Sequence, residues 1–113
     1  MPTKADLLKN LRQELRKGTL VIAVLSQLTE KHYGYSLVER LNGNGLEIDQ
    51  NTLYPLLRRL DTNGLLESSW EVVEPRPRKY YILSNLGKEV LIELKEDVNN
   101  NFKVISKLLE EVK

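Results

Sequence analysis

The chain contains no cysteine, which excludes disulfides, thiol catalysis and thiolate metal sites and is consistent with a reducing compartment. Histidine is almost as scarce: His32 stands alone in a polar turn beside Lys31, with no second ligand or base at a spacing that would enlist it. Enzymes need a positioned acid, base, nucleophile or metal, so these absences argue against catalysis, and neither a metal nor a cofactor is expected. Gly43-Asn44-Gly45 follows a helical pattern rather than a strand and is therefore no phosphate-cradling loop. Paired acids such as Glu96-Asp97 and Glu110-Glu111 fall on a helical stretch where solvated charge pairs are ordinary. No apolar run approaches the roughly 20 residues that cross a bilayer, and the polar start from Pro2 to Asp6 lacks the apolar stretch of a signal peptide, so a cytoplasmic protein with no membrane partner is expected. A strong charge excess is also missing. With 17 Lys and Arg against 16 Asp and Glu the net charge is +1, so a polyanion partner must be argued from where the charges sit.

What is present is an ordinary globular balance: 113 residues, 41% hydrophobic and 29% charged with both signs mixed, a length that fits one structural unit. Its bases cluster. Met1 to Gly18 carries Lys4, Lys9, Arg12, Arg16 and Lys17 against Asp6 and Glu14, and a smaller knot lies at Arg76, Arg78 and Lys79.

Leu7, Leu8, Leu11 and Leu15 recur at helical spacing and predict an amphipathic first helix that ends before Gly18. Thr19 then reads as a cap for an apolar segment, Leu20 to Leu25 with Leu28, that fits a buried helix or, from this pattern alone, a buried strand. Lys31 to Tyr35 reads as a turn, after which Leu37, Val38 and Leu41 restore helical spacing until the breaker cluster Asn42-Gly43-Asn44-Gly45. Asp49 can cap a further helix with Leu53, Leu56, Leu57 and Leu60 on one face, stopped by Asn63-Gly64. Pro55 sits awkwardly in that helix, because it removes a hydrogen bond if the helix starts after Asp49; propensity alone places the start nearer Tyr54. Three helices joined by glycine turns make the trihelical core of a helix-turn-helix protein.

From Leu66 the period shortens. Ser69 to Val73 and Lys79 to Leu83 are β-branched and aromatic and flank Glu74-Pro75-Arg76-Pro77-Arg78, which predicts a β-hairpin with a basic, proline-stiffened tip. Ser84 then opens a helix of about 40 Å whose apolar stripe includes Leu94, Val98, Phe102, Ile105 and Leu109. That helix outruns the domain before it, and a second copy of itself, together with Leu8, Leu11 and Leu15 of the first helix, is the simplest cover for its far half. The fold class expected is mainly α with a small β-hairpin: a winged helix-turn-helix with an N-terminal helix over residues 1–83, joined in one unit to a dimerisation helix over 84–113.

In such a fold the third helix of the core enters the major groove and the hairpin tip touches the backbone or minor groove beside it. With its leucines inward, that helix leaves Asn51, Thr52, Tyr54, Pro55, Arg58, Arg59 and Thr62 on other faces. Asn51 and Thr52 lie in the turn that usually nears base edges, and Arg58 and Arg59 can reach phosphate or guanine. Tyr54 fits a phosphate contact and a partly buried packing role equally well. Arg76, Arg78 and Lys79 supply the wing with charge.

Gly18-Thr19-Leu20, Tyr33-Gly34-Tyr35, the string Asn51 to Leu60, Gly64-Leu65-Leu66 and Arg78 to Ser84 with Gly87 together resemble the PadR family in order and spacing, over nearly all of the chain from the second predicted helix to the start of the last. The resemblance implies a homodimeric repressor that binds a palindromic operator in double-stranded DNA and is released by a small-molecule inducer or another signal. It also implies that Pro55 is accommodated in the recognition helix, and that Asn51, Thr52, Tyr54, Pro55, Arg58 and Lys79 lie near DNA; Tyr35 is expected among the DNA-binding residues as well. Two positions depart from the family pattern: Asn51 and Pro75-Arg76-Pro77 stand where similar proteins often have glycine. The single last helix resembles the compact branch, some of whose members hold flat aromatic drugs between tryptophans of a dimer pore. Here that helix has Val98 and Phe102, and the lone Trp70 belongs to the hairpin. The rival reading is a dimeric winged-helix scaffold that senses a ligand or binds a protein and holds DNA weakly.

Overall fold

Thr3 starts the first helix. In the computed structural model, which describes residues 1–72 and 77–113, its hydroxyl accepts from the Asp6 amide at 3.1 Å while the Asp6 carboxylate accepts from the Thr3 amide at 3.0 Å, a reciprocal cap that satisfies two otherwise free donors. Helix α1 then runs from Lys4 to Gln27 without interruption. The break expected at Gly18 does not occur, and Thr19 caps nothing; its hydroxyl turns back to the Arg16 carbonyl at 3.2 Å. One glycine inside a helix costs about 1 kcal/mol relative to alanine, less than the gain from burying Val24, Leu25 and the flanking apolar residues farther along the same helix.

The segment expected as a turn holds a two-residue strand, β1 (His32–Tyr33), and helix α2 (Gly34–Gly43) follows directly, two residues earlier than the apolar spacing indicates. A strand that short carries no readable alternation. Helix α3 (Gln50–Thr62) begins where Asp49 caps it, with the Thr52 amide donating to Asp49 Oδ1 at 2.9 Å, and stops at Asn63, where Gly64 takes φ +81°. Pro55 therefore lies inside the helix. Its missing N–H leaves the Asn51 carbonyl without a helical donor, on an exposed turn where water can replace it. Burial of Leu53, Leu56, Leu57 and Leu60 holds the helix across that gap.

Strands β2 (Leu66–Glu71) and β3 (Arg78–Leu83) pair antiparallel in the register Leu66↔Leu83 to Glu71↔Arg78, and β1 adds to the other side of β3, so the sheet order is β1-β3-β2 rather than a hairpin alone. Helix α4 (Asn85–Glu110) opens at Ser84, whose hydroxyl accepts from the Gly87 amide at 3.0 Å. The same residue ties α4 to the corner between α3 and β2: its amide donates to the Leu65 carbonyl at 3.0 Å and its hydroxyl to the Gly64 carbonyl at 2.6 Å. One step back, the Leu83 amide donates to the Leu28 carbonyl at 2.8 Å and fastens β3 to the end of α1.

The core gathers Val24 and Leu25 of α1 with Leu28 at its C-cap, Leu37 and Leu41 of α2, and the four leucines of α3, closed by Leu66 and Leu83 at the end of the sheet. Long helical arms extend beyond it. The radius of gyration is 16.8 Å, against about 13 Å for a compact domain of this length.

Because nothing lies within 4 Å of a side chain added at Gly18, Gly18→Ala is expected to raise stability by about 0.5–1 kcal/mol in chemical denaturation. No gain, or a loss, would show that α1 is broken at this residue.

Candidate nucleic-acid interface

The leucine face of α3 is committed to the core, so its opposite face must point outward, and on it Tyr54 and Arg58 are one turn apart. The base of the hairpin stands beside that face. Between them runs an open groove of about 540 Å³ lined by Tyr33, Gly34 and Tyr35 at the start of α2, Tyr54 and Arg58 of α3, and Trp70, Pro77, Arg78, Lys79 and Tyr81 of the sheet.

Arg78 and Lys79 are held in place by aromatic rings. Arg78 Nη1 donates to the Tyr35 hydroxyl at 2.9 Å, and the guanidinium lies 5.4 Å from the Tyr35 ring and 5.7 Å from the Tyr33 ring. Those two rings are themselves nearly parallel, 8° apart with centroids at 6.0 Å. Lys79 Nζ lies 5.5 Å from the Tyr81 ring, 5.9 Å from the Trp70 ring and 4.0 Å from Asp61 Oδ2, the oxygen that also accepts from the Ser68 hydroxyl at 2.6 Å. Cation–ring contacts of this kind contribute about 0.5–1 kcal/mol each at exposed sites. Their larger effect is to limit the directions in which the cations can point.

Two tyrosine hydroxyls stay protonated well beyond neutral pH. The Tyr33 hydroxyl donates to the Glu71 carboxylate, and that bond raises its pKa; Tyr81 is raised first by burial and then by the charge of Asp61. The groove therefore presents neutral phenols and ring-held cations, with Glu71 engaged by the Tyr33 hydroxyl and Asp61 by Ser68 and Lys79.

Among the residues singled out in the sequence, Tyr35, Tyr54, Arg58, Arg78 and Lys79 come together here. Asn51, Pro55 and Arg59 are exposed on α3 but do not line the groove, and Thr52 lines a second crevice of about 810 Å³ together with Gln13, Arg16 and Lys17 of α1. Arg76 lies outside the described residues. Of the apolar residues assigned to a dimer contact, Leu11, Leu15, Phe102, Ile105 and Leu109 are more than half exposed, whereas Leu8, Leu94 and Val98 are half-buried, Leu94 against the core of its own domain. Tyr33, Gly34, Trp70 and Tyr81 are groove residues that sequence reasoning missed. Trp70 was within reach, since the hairpin register sets it directly across from Lys79; the two-residue strand bearing Tyr33 was not.

Among the described residues no cluster of histidine and carboxylate side chains could hold a metal ion. Comparison with known proteins gives a consistent picture. Residues 21–93 match the sequence model of the transcriptional regulator PadR-like family. The chain is similar to a PadR family transcriptional regulator of Eggerthella lenta, with 46% identity and a TM-score of 0.88 over 95% of this chain and 96% of that one. A PadR-like regulator of Bacillus cereus superposes with a TM-score of 0.77 at 30% identity over 85% and 96% of the two chains. A transcriptional regulator of Mycobacterium tuberculosis is 30% identical over 72% of this chain and 77% of its own length.

Arg78 and Arg58 of the groove should behave differently when removed. Arg78→Ala deletes a hydrogen bond and two ring contacts and is expected to cost about 0.5–1.5 kcal/mol of stability, whereas Arg58→Ala on the exposed face of α3 should stay within about 0.5 kcal/mol. Urea denaturation of the two variants checks this; equal costs would mean the ring contacts do not order the wing.

Proposed function

The chain belongs to the PadR-like family of transcriptional regulators, and from that premise we propose that it is a cytoplasmic homodimer that binds a palindromic operator in double-stranded DNA and represses there until a small-molecule or other signal releases it. The observation that carries the DNA-binding part is the shared groove: α3 and the wing, far apart in sequence, offer Arg58, Arg78 and Lys79 on one face. With a net charge of only +1, a polyanion must be met by local gatherings of bases, and this groove is one, beside the N-terminal cluster.

In this reading the first turn of α3 brings Asn51 and Thr52 to base edges in the major groove, and Tyr54, Pro55, Arg58 and Arg59 follow along the same helix. Tyr35, Arg78 and Lys79 meet phosphates, Arg76 belongs to the same basic run in sequence, and the phosphate contacts supply most of the affinity. Ordering the cations on tyrosine rings before DNA arrives lowers the entropy lost on binding.

The dimer is supported by surface area. The single chain exposes 8813 Å², whereas a folded monomer of 13.1 kDa is expected to expose about 6,400 Å². The exposed leucines of α1 and Phe102, Ile105, Leu108 and Leu109 of α4 are part of that surface, and apolar area of this kind is costly to leave in water. Pairing with a second copy would cover it and give the dimer two recognition helices, one for each half of a palindrome.

A mobility shift of the purified protein on its own upstream DNA, at two salt concentrations and beside an unrelated fragment of equal length, tests the proposal. Preferential binding that weakens steeply with salt, and by about tenfold in Arg58→Ala or Lys79→Ala, is the expected result. Salt-insensitive or absent binding would leave a ligand-sensing or protein-binding scaffold, and a monomer in sedimentation would remove the dimer.

A further inference from the structure

Gly34 carries no functional group, yet the Tyr54 ring of α3 rests directly on it. A Cβ placed on Gly34 would lie 2.5 Å from Cε1 of Tyr54, 3.2 Å from Cζ and 3.3 Å from the hydroxyl oxygen, whereas unbonded carbons settle at about 3.5–4.0 Å. Its φ is not positive, so the backbone angle does not call for glycine; the approach of the ring does.

The surroundings hold both backbones in place and leave the Tyr54 ring, 37% exposed beside the groove, as the part that can move. Tyr33, just before, is paired to Tyr80 in the sheet and hydrogen-bonded to Glu71, and Tyr35, just after, is bonded to Arg78. On the other side, Leu53, Leu56 and Leu57 bind α3 into the core around Tyr54. A methyl group on Gly34 must therefore displace the ring itself, toward the groove that holds Arg58 and Arg78.

Resting on the DNA-binding reading above, we propose that Gly34 is a positioning residue of the interface: its missing side chain seats the Tyr54 ring on the first turn of α2 and so sets where the Tyr54 hydroxyl meets the DNA backbone. Tyr54 then serves two purposes. Its ring packs while its hydroxyl stays wet, which joins the two roles its sequence position allows. A shift of the ring by about 1 Å would misplace a hydrogen bond whose useful range is only a few tenths of an ångström.

The test compares the wild type with Gly34→Ala, Tyr54→Ala and the double variant, using a duplex that the wild type selects from a random pool, affinity by fluorescence anisotropy and folding by thermal melting. Gly34→Ala should weaken binding by about tenfold, and Tyr54→Ala by a similar factor. Adding Gly34→Ala to Tyr54→Ala should change affinity by less than about twofold, because the methyl then has room. If Gly34→Ala alone loses its fold, the double variant should regain it and bind as Tyr54→Ala does. A Gly34→Ala protein that binds like the wild type, an effect that adds in full to Tyr54→Ala, or a double variant that stays unfolded would each overturn the proposal. A wild type that selects no duplex would instead remove the DNA reading on which it rests.

Discussion

Burial of the leucine face of α3 is the constraint from which the rest follows. Leu53 and Leu57 are wholly enclosed and Leu56 and Leu60 nearly so, packed with the second half of α1 and the inner face of α2. Each such side chain contributes about 1.5–3 kcal/mol, enough together to carry a helix across the hydrogen bond that Pro55 deletes. Once that face is spent, the rotation of α3 is set. Asn51, Tyr54, Pro55, Arg58 and Arg59 have nowhere to be but outside.

The same packing decides where the wing stands. Leu66 and Leu83 close the end of the core at the start of β2 and the end of β3, and the bonds from Leu83 to Leu28 and from Ser84 to Leu65 hold that end against α1 and α3. Its open end is organised differently, by tyrosines and cations rather than by leucines. Arg78 against Tyr33 and Tyr35, and Lys79 among Trp70, Tyr81 and Asp61, give the base of the wing an order that apolar contacts do not supply there. Interactions of this kind are weak singly, and they direct charge more than they add stability.

Much of this was legible in the sequence because caps and stops are local chemistry. Asp49, Asn63-Gly64 and Ser84 begin and end their helices where the residue types predict, and the spacing of four leucines identified the buried face of α3. Gly18 misled because a glycine weakens a helix without compelling it to end, and the outcome depended on apolar burial several residues downstream. β1 was illegible for a different reason: two residues have no period, and His32 and Tyr33 form a strand only because β3 offers them a partner from almost 50 positions away. The groove shares that dependence. Tyr35, Tyr54, Arg58, Arg78 and Lys79 could be picked out singly as outward or basic, but their meeting, and the part played by Tyr33, Gly34 and Tyr81, is a product of tertiary packing.

The central claim is that the outer face of α3 and the base of the wing form one surface that receives DNA. The most direct measurement is the change in backbone amide resonances when a bound duplex is added to the labelled protein. The account predicts the largest changes at Gln50 to Arg59, around Tyr35, and at Arg78 and Lys79, with little change along the far half of α4. Changes concentrated instead at the crevice of Gln13, Arg16 and Lys17, or along α4, would contradict it.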